Sequence, residues 1–335
     1  MRAGVIKNSE NEYILMLDMH HIISDGLSQD ILVSEFMDLY DGKELAPLEL
    51  QYKDFSEWQN QMLQSEDLNE VKTYWLKRLD GFRELQLPAD YQRPDVKSFA
   101  GAHYRFYISK KELEAFKSIM ADEDATLFMG LLSIYQILLH KLTGQSDIVV
   151  GVPVAGRRQE ELQRIIGIFV NMLPLRFYPK KEMTFTQFLH HVKQLVIDDF
   201  DYQDYQYEHM VQDLKLDRTL NRNHIFDTVF ALQNLSQPAL EVDGITLTDY
   251  EYETAVSRFD LLWIASEDEN GLSSVIEYST ELFTRETIES VAKGIKKVLS
   301  AVIDCKQTAL KDIDLTSGIN DLEKVSLLEL DDLKI

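Results

Sequence analysis

Met19-His20-His21-Ile22-Ile23-Ser24-Asp25-Gly26, or MHHIISDG, decides how the rest of the chain is read. The residues leading into it, Glu12 to Met19 (EYILMLDM), put apolar side chains on both faces of an extended segment. That pattern predicts a strand central in a sheet. Two histidines, an acid and a glycine then stand where apolar residues would stabilise more. A catalytic centre, a metal site and a polar turn closing the strand all fit such a cluster. Neighbours in a strand point to opposite faces, so His20 and His21 would not converge on one ion. This argues against a two-histidine metal site. Gly26 suits a left-handed backbone or the close approach of a ligand. A second pair, His190-His191, lies in a helical pattern with no Asp-Gly after it and reads as structural.

Downstream of the motif the pattern is helical from Ser28 to Tyr40, with Ser28 the expected N-cap and Gly42 a stop signal. Further helices are expected over 54–63 and 69–79. Leu87 to Asp95 (LPADYQRPD) is Pro-punctuated and irregular, and reads as a linker. Beyond it strands are predicted over 103–108, 147–154, 173–178 and 226–232. Helices are predicted over 110–120, 126–142, 162–170, 186–200 and 285–302. Phe259–Ala265 and Ser273–Tyr278 read as a hairpin across Glu269-Asn270-Gly271. Alternating elements plus a hairpin give an α/β sandwich with a mixed sheet. The expected division is 1–96, 97–315, and an acidic tail over 316–335.

The 335 residues carry 34 Lys+Arg against 57 Asp+Glu, a net charge of −23. A field of that sign repels nucleic acid and anionic membrane, so neither is an expected partner. The single cysteine, Cys305, leaves no internal disulfide framework and fits a reducing cytoplasm. The longest apolar run, Leu127 to Leu139, is broken by Gly130, Ser133 and Gln136 and is too short to span a bilayer.

Five ordered segments carry a family resemblance. MHHIISDG matches the HHxxxDG signature of condensation domains from nonribosomal peptide synthetases. Tyr52–Trp58 (YKDFSEW) resembles their YxDFxxW motif, and Ile166–Arg176 (IGIFVNMLPLR) their IGxFVNxxxLR motif. Tyr202–Glu208 resembles (H/N)QDxPFE, departing at Tyr202, Gln206 and Tyr207. Arg222–Phe230 resembles RxPLFxVxF, with His224 where proline is usual. The resemblance covers almost the whole chain. It implies a chloramphenicol-acetyltransferase-like fold of two lobes. The activity it implies is amide formation between a donor acyl thioester and an acceptor aminoacyl thioester. Both are carried on phosphopantetheine arms of carrier proteins, with no cofactor bound directly. An adenylation domain is the implied neighbour, and antibiotic-type secondary metabolites are the implied products. Neither the DxxxxD of cyclisation relatives nor the tryptophan that follows the motif in epimerisation relatives is present, so ordinary condensation fits better.

By the same resemblance His21 is the active-site residue, with His20, Asp25 and Gly26 around it. Asp25 is expected to pair with Arg157, with Arg176 as the runner-up. Asn223, Asn171, Arg176 and Trp58 are the candidate tunnel residues, Trp58 more as packing than chemistry. The family places HHxxxDG after more than a hundred residues, so the chain is expected to lack the front of the N-terminal lobe and to need a separate one. Two alternatives remain: a non-catalytic fragment that docks carriers or scaffolds, and an acyltransferase using acyl-CoA.

Overall fold

The computed structural model describes residues 1–315 apart from 67, 217–218, 234–239, 243, 249 and 251–253. The expected acidic tail, 316–335, lies outside the described residues. In chain order the elements begin with β1 (Arg2–Ser9), β2 (Glu12–Asp18), α1 (Gly26–Tyr40), α2 (Tyr52–Leu63) and α3 (Leu68–Arg78). There follow β3 (Gly101–Ser109), α4 (Lys110–Asp122), α5 (Leu127–Thr143), β4 (Ile148–Val154), β5 (Asn171–Phe177), α6 (Phe185–Asp201) and α7 (Tyr207–Asp213). The remainder are β6 (Thr228–Gln233), β7 (Leu240–Val242), β8 (Ile245–Leu247), β9 (Leu261–Asp268), β10 (Gly271–Ser279) and α8 (Arg285–Asp304).

The chain divides into two compact units. The first takes residues 1–73, 154–171 and the described part of 237–252; the second takes the rest. Compactness thus divides the chain at Thr73 and not at the expected 96/97 boundary, and the 154–171 excursion belongs with the histidine motif. Leu87–Asp95 lies in the second unit, fastened by Asp90 N–H donating to Leu282 O (2.8 Å) and by Arg93 paired with buried Asp260.

The second unit is built on a six-stranded sheet ordered β3-β10-β9-β6-β4-β5. β10 runs antiparallel to β3 and β9, whereas β9, β6 and β4 run parallel. The sheet is mixed, as the element pattern predicts. Helix α5 is buried continuously from Met129 to Leu139, which an apolar surface all round the helix requires. It starts on a Thr126 side-chain cap and stops at Gly144, whose φ of 69° is left-handed. Phe230 and Trp263 pack with ring centroids 4.9 Å apart at the centre of this core.

The first unit is leaner. Its β1–β2 ribbon is antiparallel, and β2 pairs with no other strand among the described residues. Within the described residues β2 is therefore not central, although its sequence is suited to that place. Two further expectations fail locally. Asp25, not Ser28, caps α1, because its carboxylate takes the Ser28 N–H at 2.8 Å. Residues 162–170 do not form a helix: one 3-10 turn, Glu160–Leu162, is followed by irregular chain. The reason is that side chains claim the backbone groups a helix would use. Arg157 takes the carbonyls of Leu162 and Ile165, Tyr52 that of Ile168, and Asp25 the N–H of Phe169.

Candidate active site

The histidines are not in a strand. β2 ends at Asp18, and His21–Ile23 form one 3-10 turn with His20 as its N-cap. The His20 Nδ1 accepts the Ile22 N–H at 3.1 Å, so this ring nitrogen carries no proton. Both histidines are exposed, and the His21 ring makes no hydrogen bond among the described residues. The argument from strand alternation therefore loses its premise. Among the described residues no group of three or more His, Cys, Asp or Glu is arranged to hold a metal.

Immediately after this exposed turn the chain dives inward. Ser24, Asp25 and Ser28 are buried. Asp25 Oδ1 receives the Ser28 N–H (2.8 Å), the Ser28 hydroxyl (2.7 Å) and Arg157 Nη2 (3.0 Å), while Oδ2 receives the Phe169 N–H (3.0 Å). Burial pushes its carboxyl up. The Ser28 hydroxyl, the Phe169 and Ser28 N–H groups and the Arg157 charge more than offset this, so its pKa lies below the usual carboxylate value. Asp25 is thus a buried anion held by four donors, three on Oδ1 and one on Oδ2, an arrangement that suits holding the turn better than taking a substrate proton.

Arg157 is engaged through both terminal nitrogens, while its buried Nε has no partner among the described residues. Its Nη1 donates to Leu162 O (2.7 Å) and Ile165 O (2.5 Å), and its guanidinium lies 4.0 Å from the Phe169 ring centroid. Gly156 brings the chain to this point with φ 66°, and a Cβ there would lie 2.0 Å from Phe169 O. Only glycine permits that approach. Below the ion pair Tyr52, Phe55, Leu162, Ile165 and Phe169 form a small apolar cluster. The Tyr52 hydroxyl donates to Ile168 O (2.8 Å), and its ring lies edge-on to Phe169 at 5.2 Å. Three of the quoted motifs therefore meet in one unit: MHHIISDG, YKDFSEW and the start of IGIFVNMLPLR.

Other expected residues lie differently. Gly26 is the first residue of α1, without a left-handed φ, so the left-handed alternative falls away; open space lies where a Cβ would go. Trp58 is 45% exposed, with its ring 5.8 Å from that of Phe55. Asn171 is buried where β5 starts. The runner-up Arg176 belongs to another pair, donating to both Asp147 oxygens at 2.7 Å in the second unit. Asn223 is also in the second unit. Its N–H donates to Asp227 Oδ1 (2.9 Å), part of a group in which partly buried Arg222 and Arg93 pair with buried Asp227 and Asp260. Burial and the neighbouring Asp260 charge push the Asp227 carboxyl up, with Asn223, Arg93 and Arg222 opposing. Sequence reasoning missed Ser28, Gly156 and Phe169 as parts of the motif's support. The signal for Ser28 was its position just past the Asp-Gly, and that for Phe169 its place in the IGIFVNMLPLR segment; Gly156 carried none.

The comparisons agree on a family. A family model described as "Condensation domain" matches residues 1–325. The chain is 43% identical over 329 residues to surfactin synthase subunit 1 of Bacillus subtilis (strain 168), covering 98% of this chain and 9% of that protein. It is 42% identical over 329 residues to tyrocidine synthase 3 of Brevibacillus parabrevis, covering 98% and 5%. The chain thus spans under a tenth of the length of these relatives. Among solved structures, a four-domain nonribosomal peptide synthetase bound to AMP and glycine superposes with TM-score 0.86 at 21% identity, over 96% of this chain and 26% of that one. An X-domain from teicoplanin biosynthesis gives 0.84 at 23%, over 93% and 74%. At such identities these likenesses speak to fold alone.

Proposed function

The chain belongs to the condensation-domain family, and on that premise we propose that it forms an amide bond between two thioesters carried on phosphopantetheine arms of separate carrier proteins. The acceptor amine attacks the donor thioester carbonyl, a C–N bond forms, and the C–S bond breaks. The amine's surplus proton passes to His21 and from it to the departing thiolate. Free α-amino groups titrate near about 7.7–8.0, so a useful fraction is already neutral at cellular pH. His21 is needed chiefly to orient that amine and accept its proton late. The observation that carries this reading is the contrast between neighbours: a His21 ring exposed and unengaged among the described residues, next to an Asp25 enclosed by donors. Asp25 and Arg157 act by holding the turn. An adjacent adenylation domain, a donor carrier and an acceptor carrier are the proposed partners, in the cytoplasm.

The β1–β2 ribbon bears on how this chain works. Val5, Tyr13 and Leu17 are exposed on one face of it, and Ile6 and Met16 on the other. We propose that further strands cover it, supplied by an N-terminal lobe segment, and that His21 is ordered for catalysis only then. The test incubates the chain with donor- and acceptor-loaded carriers and follows the amide product by mass. The segment preceding the matched region of surfactin synthase subunit 1 is added or withheld. Product only with the segment is expected. Product without it overturns the need for cover, and no product in either arm overturns the condensation reading.

A further inference from the structure

The mechanism uses His21, Asp25 and Arg157, but the hydroxyl of Ser28 also joins the histidine turn to the rest of its unit. Ser28 is completely buried. Its Oγ lies 2.7 Å from Asp25 Oδ1, 2.8 Å from Gly167 O, 3.0 Å from Arg157 Nη2 and 3.1 Å from Gly167 N. A serine hydroxyl has one proton and two lone pairs. Arg157 and the Gly167 N–H are obligatory donors, so they fill both lone pairs. The single proton is then shared between a carboxylate and a carbonyl, and every bonding position of the oxygen is taken. Gly167 is grasped at both its N–H and its C=O, and two residues on, the Phe169 N–H is held by Asp25. The Tyr52 ring packs directly on Gly167: a Cβ there would lie 2.0 Å from it.

We propose that Ser28 is a positioning residue for His21. Its hydroxyl latches the first turn of α1 to the Gly167–Phe169 backbone and so fixes the direction in which the preceding 3-10 turn presents the histidine. The connection back to His21 is short. Asp25 caps α1, and the Ser24 N–H donates to His21 O at 3.3 Å. Without the Oγ, a buried carbonyl, a buried N–H and one guanidinium nitrogen each lose a partner, while the Asp25–Arg157 pair stays intact. Such a change loosens the join without removing a charge.

The activity arm of the test rests on the condensation reading; the exchange arm does not. In Ser28→Ala, amide hydrogen exchange at Gly167 and Phe169 and at Ile23 and Ser24 is expected to quicken together, by about tenfold or more, while exchange in α5 stays unchanged. Under the conditions in which the wild type forms amide, kcat falls about tenfold with the KM for each carrier within about twofold, because a buried hydroxyl touches no carrier. Ser28→Thr, which keeps the hydroxyl, restores much of both. Should Ser28→Ala not fold, Ser28→Cys, a weaker donor and acceptor, carries the same measurements. Faster exchange confined to Gly167 and Phe169, with Ile23 and Ser24 unmoved, overturns the proposal. A folded Ser28→Ala with wild-type kcat does so too. A wild type that forms no amide in any arrangement refutes the condensation reading instead, and the exchange pattern still decides whether the latch exists.

Discussion

β2 and β4 carry the same signature in sequence and opposite burial in the structure. EYILMLD and IVVGVPV both place apolar side chains on alternate faces, as strands packed on both sides do. In β4 every residue but one is buried, between β6 and β5 in the six-stranded sheet. In β2 none is buried, and the strand has one partner among the described residues. The pattern reports what a strand is suited to, and it takes neighbouring elements to realise it. Where those are present in the second unit, the apolar residues make a core. In the first unit burial instead gathers at the polar latch behind the histidines and the small apolar cluster beneath it.

The contrast breaks or sharpens under mutation, beginning with the largest effect. Val150→Asp in β4 buries an unpaired charge and should unfold the second unit, costing more than about 4 kcal/mol by chemical denaturation. A mild loss would mean that β4 is less enclosed than described. Next, Asp25→Ala or Arg157→Ala removes one half of an ion pair whose side chains are 5% and 0% exposed. Each should cost about 3–5 kcal/mol in the first unit, and the double variant less than the sum of the two. A double-mutant cycle that adds linearly would deny the pairing.

The third effect is on pH. The Asp25 carboxyl is lowered in the folded state, so its stabilisation is present above the ordinary carboxylate value and lost as pH falls through the lower folded value. Wild type minus Asp25→Asn should therefore show a stability difference that is constant near neutrality and shrinks only in acid. Buried Asp199 has the opposite sign. Burial raises its pKa despite Arg78 and Tyr74, so its contribution diminishes as pH rises through the raised value. The smallest effect is on the ribbon. Leu17→Ser should change the stability of this chain by less than about 0.5 kcal/mol yet weaken capture of an N-terminal lobe segment, read by calorimetry. A large loss of stability would mean the ribbon is already covered.

Much of this was legible in the residues. Hydrophobic period located α5, α8 and the β9–β10 hairpin, because burial on one unit's core dictates their spacing. The motif order brought out the family and named the Asp25–Arg157 pair. What was not legible depends on partners distant in sequence. Whether β2 lies inside a sheet is decided by other strands, not by EYILMLD. The failed helix at 162–170 looks apolar and periodic, but Arg157, Tyr52 and Asp25 take its backbone groups. Ser28 reads as a helix cap locally, and only the fold brings Gly167 to its hydroxyl.

The division of labour in the motif comes down to one comparison. His21→Ala and Asp25→Ala would be assayed for amide formation with both carriers loaded and the N-terminal segment supplied, each at a temperature well below its own melting midpoint. The expected result is that His21→Ala melts like the wild type, because an exposed ring supports nothing, and forms no amide. Asp25→Ala should melt far lower and lose activity in step. An Asp25→Ala protein with wild-type melting and no product would make Asp25 a chemical participant, and a His21→Ala protein with full turnover would move the chemistry elsewhere.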